Sequence, residues 1–136
     1  EEYIVHAELP GVKKEDIKID TSNGGIEVLN VSAENIILDS SNSEAILNNI
    51  NGKKIKVDIS NGEIKVNECR GNKVVLDTSN GEIEAYECYA NNLKLDTSNA
   101  EITLENLKDK EFVIDILEVS TSNASENINA KYNNKK

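Results

Sequence analysis

Aspartate returns every 19 residues along this chain, at Asp20, Asp39, Asp58, Asp77, Asp96 and Asp115. A fixed short period sustained over most of a chain restricts the fold to stacked repeats, because one such unit cannot bury its own apolar side. After the aspartates come Thr-Ser-Asn-Gly-Gly (21–25), Ser-Ser-Asn-Ser-Glu (40–44), Ile-Ser-Asn-Gly-Glu (59–63), Thr-Ser-Asn-Gly-Glu (78–82) and Thr-Ser-Asn-Ala-Glu (97–101). Asn and Gly in this tripeptide mark a turn, since both tolerate conformations that other residues avoid.

With the aspartate as phase 1, phases 7, 9, 12, 17 and 19 are apolar throughout. The first full unit has Ile26, Val28, Val31, Ile36 and Leu38, and the fifth has Ile102, Leu104, Leu107, Phe112 and Ile114. Extending backwards gives Ala7, Leu9, Val12, Ile17 and Ile19. Alternation at 7/9 and 17/19 is strand periodicity with one face buried, and helical spacing is absent. The expectation is an all-β, single-stranded parallel β-solenoid (a β-helix) of about six coils, rising about 4.8 Å per coil. General connection handedness makes it right-handed. The coils fall at 1–19, 20–38, 39–57, 58–76, 77–95 and 96–114, followed by an irregular C-terminal cap, 115–136, in one domain. The next Thr-Ser-Asn, at 121–123, comes five residues late, so the break in period is placed after Asp115.

Composition removes several function classes. The net charge of -10 disfavours nucleic acid and anionic membrane, which need a positive footprint. No apolar run reaches the roughly 18 residues of a membrane span. One His and two Cys leave little for a His-based triad or a His-rich metal site, and no cofactor is implied. His6 reads as an N-terminal strand residue. Six coils without insertion would offer no cleft, and so no means of driving apart the pKa values of the glutamate column Glu44, Glu63, Glu82 and Glu101 for acid–base work. The chain is therefore expected not to be an enzyme. An ice-binding array is disfavoured because phase 2 reads Thr21, Ser40, Ile59, Thr78 and Thr97, and the Ile points that phase inward.

The columns offer the candidate sites. Asp20, Asp39, Asp58, Asp77 and Asp96 read either as a row of cation sites or as solvated, turn-bonding carboxylates. Lys at i-2 of every second aspartate argues against a metal. Asn23, Asn42, Asn61, Asn80 and Asn99 read as an inward amide ladder or as a row of positive-φ corners, structural in either case. Cys69 and Cys88 share a phase in adjacent coils and read as core thiols or as a disulfide joining two coils. Tyr86, Tyr89 and Arg70 form the non-repetitive surface group, in which Arg70 can lie over Tyr89 and exposed rings suit sugar or peptide contact.

Two resemblances add to this. Residues 3–19, with Glu-Leu-Pro-Gly-Val followed by Glu-Asp-Ile, resemble the opening strands of the small heat-shock protein α-crystallin domain. The segment also fits the 19-residue register, which accounts for the whole chain. The units Asp20–Ile26, Asp58–Ile64, Asp77–Ile83 and Asp96–Ile102 resemble a bacterial family of adhesin-like, short-coil β-solenoids, over about residues 17–125. That resemblance implies a bacterial protein, tethered through a separate segment, at the cell surface or elsewhere outside the cytoplasm; a cytoplasmic location stays open. It supplies no catalytic residues. The expected function is a non-catalytic rigid rod that contacts a glycan or a protein. The alternative is a structural spacer without a ligand of its own, able to self-associate end to end.

Overall fold

The computed structural model describes residues 4–8 and 13–136, with side chains from Asp16 onward. It is an all-β parallel solenoid, without a helix among the described residues. The strands are β1 (Ile4–Glu8), β2 (Lys13–Thr21), β3 (Gly25–Ser40), β4 (Ala45–Ile59), β5 (Ile64–Thr78), β6 (Ile83–Asp96), β7 (Ile102–Glu105), β8 (Val113–Ser120), β9 (Glu126–Asn129) and β10 (Lys131–Lys135). β3 to β6 stack in parallel at the 19-residue offset, as in Ile26↔Ala45, Ala45↔Ile64 and Ile64↔Ile83.

Each long strand bends within a coil. Asn30, Asn49, Glu68 and Glu87, all at phase 11, have φ of 53°, 58°, 64° and 56°. This left-handed residue turns the chain between two straight runs, and a second break in pairing falls at phase 15. The Asn of the Ser-Asn-Gly turn is not the positive-φ residue. That turn stays in the ladder, with Asn42 and Asn61 donating their backbone N–H to the carbonyls of Ser22 and Ser41.

From Ile26 to Leu95, every phase 7, 9, 12, 17 and 19 side chain is buried. Phase 2 also faces inward: Ile59 and Thr78 are 1% exposed. Thr78, Thr97 and Thr121 donate their hydroxyls to the carbonyls of Gly62, Gly81 and Ala100 one coil earlier. Ser40 is buried at the same phase without a partner for its hydroxyl.

The period breaks in two places. β1 pairs β3 at an offset of 21, as in Val5↔Ile26 and Ala7↔Val28, whereas β2 pairs β3 at 19. Ala7 therefore aligns with phase 9 and not phase 7. Leu9, Val12 and the Pro-Gly of the heat-shock resemblance lie outside the described residues, as does the side chain of His6.

The second break corrects the placement of the C-terminal insertion. β7 still pairs β6 at 19 (Ile83↔Ile102), but β8 pairs β6 at 24 (Leu93↔Leu117, Asp96↔Ser120). Five residues are thus inserted between Glu105 and Ile116, before Asp115 and not after it. Leu117 and Val119 fill the core positions assigned to Phe112 and Ile114, Leu107 is 47% exposed, and Ser120 stands where Asp115 was placed. The error has a physical source: Leu107, Phe112, Ile114 and Asp115 repeat the expected residue types out of phase, although Ile114 is itself buried in the core. The chain then closes with a polar coil. β9 pairs β7, β10 pairs β8, and most of its side chains are exposed.

Candidate functional site: the corner groove and its loop

The inserted residues form a loop, 106–112, held against the corner of β6. Asn106 starts it. Its buried amide accepts from the Cys88 backbone N–H at 2.8 Å and donates to the Cys88 carbonyl at 2.9 Å. One side chain thus satisfies both backbone groups that the next strand would have paired. The left-handed Glu87 beside it points its carboxylate at the loop. Oε1 accepts from the Leu107 and Lys108 N–H groups, each at 2.9 Å, and from the Tyr89 hydroxyl at 2.5 Å. The same hydroxyl accepts the Asp109 N–H at 2.9 Å, and Lys108 bonds Glu68, one coil before Glu87.

These contacts set the charge states. Burial alone would raise the Glu87 carboxyl. The Lys108 N–H, the Tyr89 hydroxyl, the Leu107 N–H and the Lys108 ammonium outweigh it and hold the group below the ordinary glutamate value. Burial and the bond to Glu87 push the Tyr89 hydroxyl up.

Tyr89 is 4% exposed, which corrects its reading as an exposed contact ring. The Phe112 ring meets it edge-on, with centroids 5.3 Å apart at 70°. Arg70 lies over it, 4.6 Å from the centroid. The stack closes one end of a groove of about 420 Å³ that runs along the coil axis. Asn51, Asn72 and Asn91 line the groove, with Glu34 and Lys53 at its far end and Gly52 and Gly71 in its floor. The floor has no room for side chains at these glycines: a Cβ at Gly71 would lie 2.4 Å from the Gly52 carbonyl oxygen. Tyr86 is not among the lining residues. It sits on another run, between Asn67 and Glu105, and burial with Glu84 and Glu105 nearby raises its hydroxyl.

The remaining columns are placed as follows. Asp20, Asp39, Asp58, Asp77 and Asp96 stack in register. Burial, then Asp96 and Asp58, raise the Asp77 carboxyl, against the lowering effect of Lys94 and Lys56. Among the described residues, no three His, Cys, Asp or Glu side chains are grouped to hold a metal. Asn42, Asn61, Asn80 and Asn99 each donate an amide N–H to the Asn one coil earlier, starting at Asn23, and Asn123 extends the ladder to Asn99. This ladder is exposed, not inward. Cys69 and Cys88 are buried register partners and free thiols. A hydrogen bond to Cys88, together with burial, raises the Cys69 thiol well above its ordinary value.

The loop that closes the groove was missed in the sequence. The available signal was the five-residue delay of the last Thr-Ser-Asn, combined with the polar run Asn-Leu-Lys-Asp-Lys-Glu at 106–111.

Fold and register define, among the described residues, a short-coil parallel β-solenoid with an anchored loop between β7 and β8. Residues 4–116 match Toastrack DUF4097, and the chain belongs to that family. No curated protein and no solved structure matches it. No helix among the described residues is long and apolar enough to cross a membrane.

Proposed function

We propose that this solenoid is a non-catalytic, adhesin-like module of a bacterial surface or envelope protein, and that its corner groove contacts a glycan strand. The observation that carries the reading is the break in regularity. Among the described residues, the loop between β7 and β8 that ends the 19-residue stacking is fixed by the hydrogen bonds of Glu87, Tyr89 and Asn106, and it ends on the aromatic stack at the head of the groove. Side-chain amides, exposed backbone at two glycines and a stacked guanidinium suit hydroxyl-rich ligands, which need many oriented donors and acceptors.

The non-catalytic part of the proposal rests on the lining. Glu34 is the one carboxylate among the groove's described lining residues, and the charged group beside it, at 3.7 Å, is Lys53 rather than a second acid for acid–base work. The extracytoplasmic setting rests on the likeness of the Asp-Thr-Ser-Asn-Gly-Glu-Ile units to adhesin-like solenoids. The test is a glycan-array and cell-wall pull-down screen of the wild type beside Arg70→Ala/Asn72→Ala. Both side chains are exposed, so the fold should survive their loss. Saturable binding that the double variant loses supports the proposal. Absence of binding by the folded wild type would refute it and leave a spacer, which the unbroken stacking of β3 to β6 favours.

A further inference from the structure

Lysine is concentrated on one run of this rod, beside the aspartate column. Residues 51–56, 70–75 and 89–94 are the same stretch of three successive coils, and they contain Lys53, Lys54, Lys56, Arg70, Lys73 and Lys94. That is six of the chain's 15 Lys+Arg and none of its 25 Asp+Glu. Lys54 and Lys73 are register partners, and Lys56 and Lys94 flank Val75 in the same ladder. All four are exposed around a shallow depression of about 430 Å³ that also holds Val74, Val75 and Ile116 and two carboxylates, Asp77 and Glu118, the latter in register with Lys94, so lysines outnumber acids there by four to two. Among the described residues, none of the four lies within salt-bridge distance of a carboxylate, whereas Lys53, Lys65, Lys108 and Lys135 do.

Another run carries the opposite charge. Residues 44–48, 63–67, 82–86 and 101–105 hold Glu44, Glu63, Glu82, Glu84, Glu101 and Glu105 against Lys65. Lys65 pairs with Glu44 and Glu63, at 3.8 and 3.6 Å, and leaves the Glu82 and Glu101 end of the column uncompensated. Both columns step by one coil, about 4.8 Å. Two rods laid side by side with parallel axes therefore match lysine to glutamate over several coils without adjustment.

We propose that the lysine-bearing run is a docking surface for the glutamate-bearing run of a second copy of this chain, so that rods associate side by side. The two runs occupy different sides of the rod. Each copy keeps one of each unfilled, and the contact is head-to-tail and continues past a dimer. Net repulsion between acidic chains does not prevent this. At about 0.15 M salt the Debye length is about 8 Å, which screens distant charges but not apposed ones.

Sedimentation velocity over a concentration series tests the proposal, with K54E/K73E, E82K/E101K and their equimolar mixture beside the wild type. Circular dichroism verifies the fold of each. The wild type should associate in a concentration-dependent way, and each variant alone should associate roughly tenfold or more weakly. The mixture should recover association, because each variant retains the side that the other has reversed. E82K/E101K makes the chain less negative, so a mere net-charge effect would strengthen its association; such strengthening would overturn the proposal. A wild type that stays monomeric would also overturn it. In that case retention on immobilised polyphosphate, lost in K54E/K73E, would assign the surface to an anionic polymer instead.

Discussion

Glu87 shows how much one side chain organises here. Its left-handed backbone turns the coil, and one carboxylate oxygen collects three hydrogen bonds that dock the loop. Glu87→Ala would leave the Leu107 and Lys108 N–H groups without that acceptor and should cost about 1–3 kcal/mol, read by chemical denaturation. The pH dependence has a definite sign. Because the folded-state pKa is depressed, the contribution is complete above the unfolded value of about 4.3 and is lost as pH falls through the lower folded value. Loop protection in hydrogen exchange should thus weaken in that acid range, and Glu87→Gln should flatten the dependence. Asp77 has the opposite sign. Burial and the stacked Asp96 and Asp58 raise its folded pKa, so its charged form costs stability above that value. Asp77→Asn should raise the melting temperature near neutral pH by a small amount, worth less than about 1 kcal/mol because the site is largely solvated. None of this was legible from the 19-residue pattern. Glu68 and Glu87 look like ordinary surface residues until the backbone angle at phase 11 is known.

The elements are held by identical contacts repeated along the axis. Each coil adds apolar side chains directly over those of the coil before, along with one amide in the exposed Asn ladder. Asn61→Ala removes two ladder bonds, to Asn42 and from Asn80, and should cost about 1 kcal/mol, whereas Asn123→Ala removes one and should cost less. Gly81 is under a harder constraint, because a Cβ there would lie 1.9 Å from the Gly62 carbonyl oxygen, which belongs to the backbone. Gly81→Ala should destabilise by about 1–3 kcal/mol, visible as a lower denaturation midpoint at unchanged slope. Strand type, register and core phases of β3 to β6 were readable because the apolar period is strict and pairing is always with the same residue one coil on. The loop was not, because Leu107 and Phe112 imitate core phases, and Ile114, though buried, fills a different position from the one its spacing assigned. Their true positions depend on which residues Leu93 and Asp96 meet one coil later, and only the pairing with Leu117 and Ser120 reveals that.

At the scale of the molecule, the chain is a rod whose stability resides in nearest-neighbour contacts between interchangeable coils. The stacking rule therefore predicts which large changes are tolerated. Removing residues 58–76 deletes one whole period and brings Val57 before Asp77, so β4 meets β6 with every apolar phase aligned. Removing only residues 58–67 deletes about half a period and throws every later phase out of line. The most direct measurement is thermal unfolding of both deletions, followed by far-ultraviolet circular dichroism. Stacking in register requires a cooperative transition and a β signal for the whole-coil deletion, at a modestly lower midpoint, and an unfolded chain for the half-coil deletion. A whole-coil deletion that fails to fold, or a half-coil deletion that folds equally well, would contradict it.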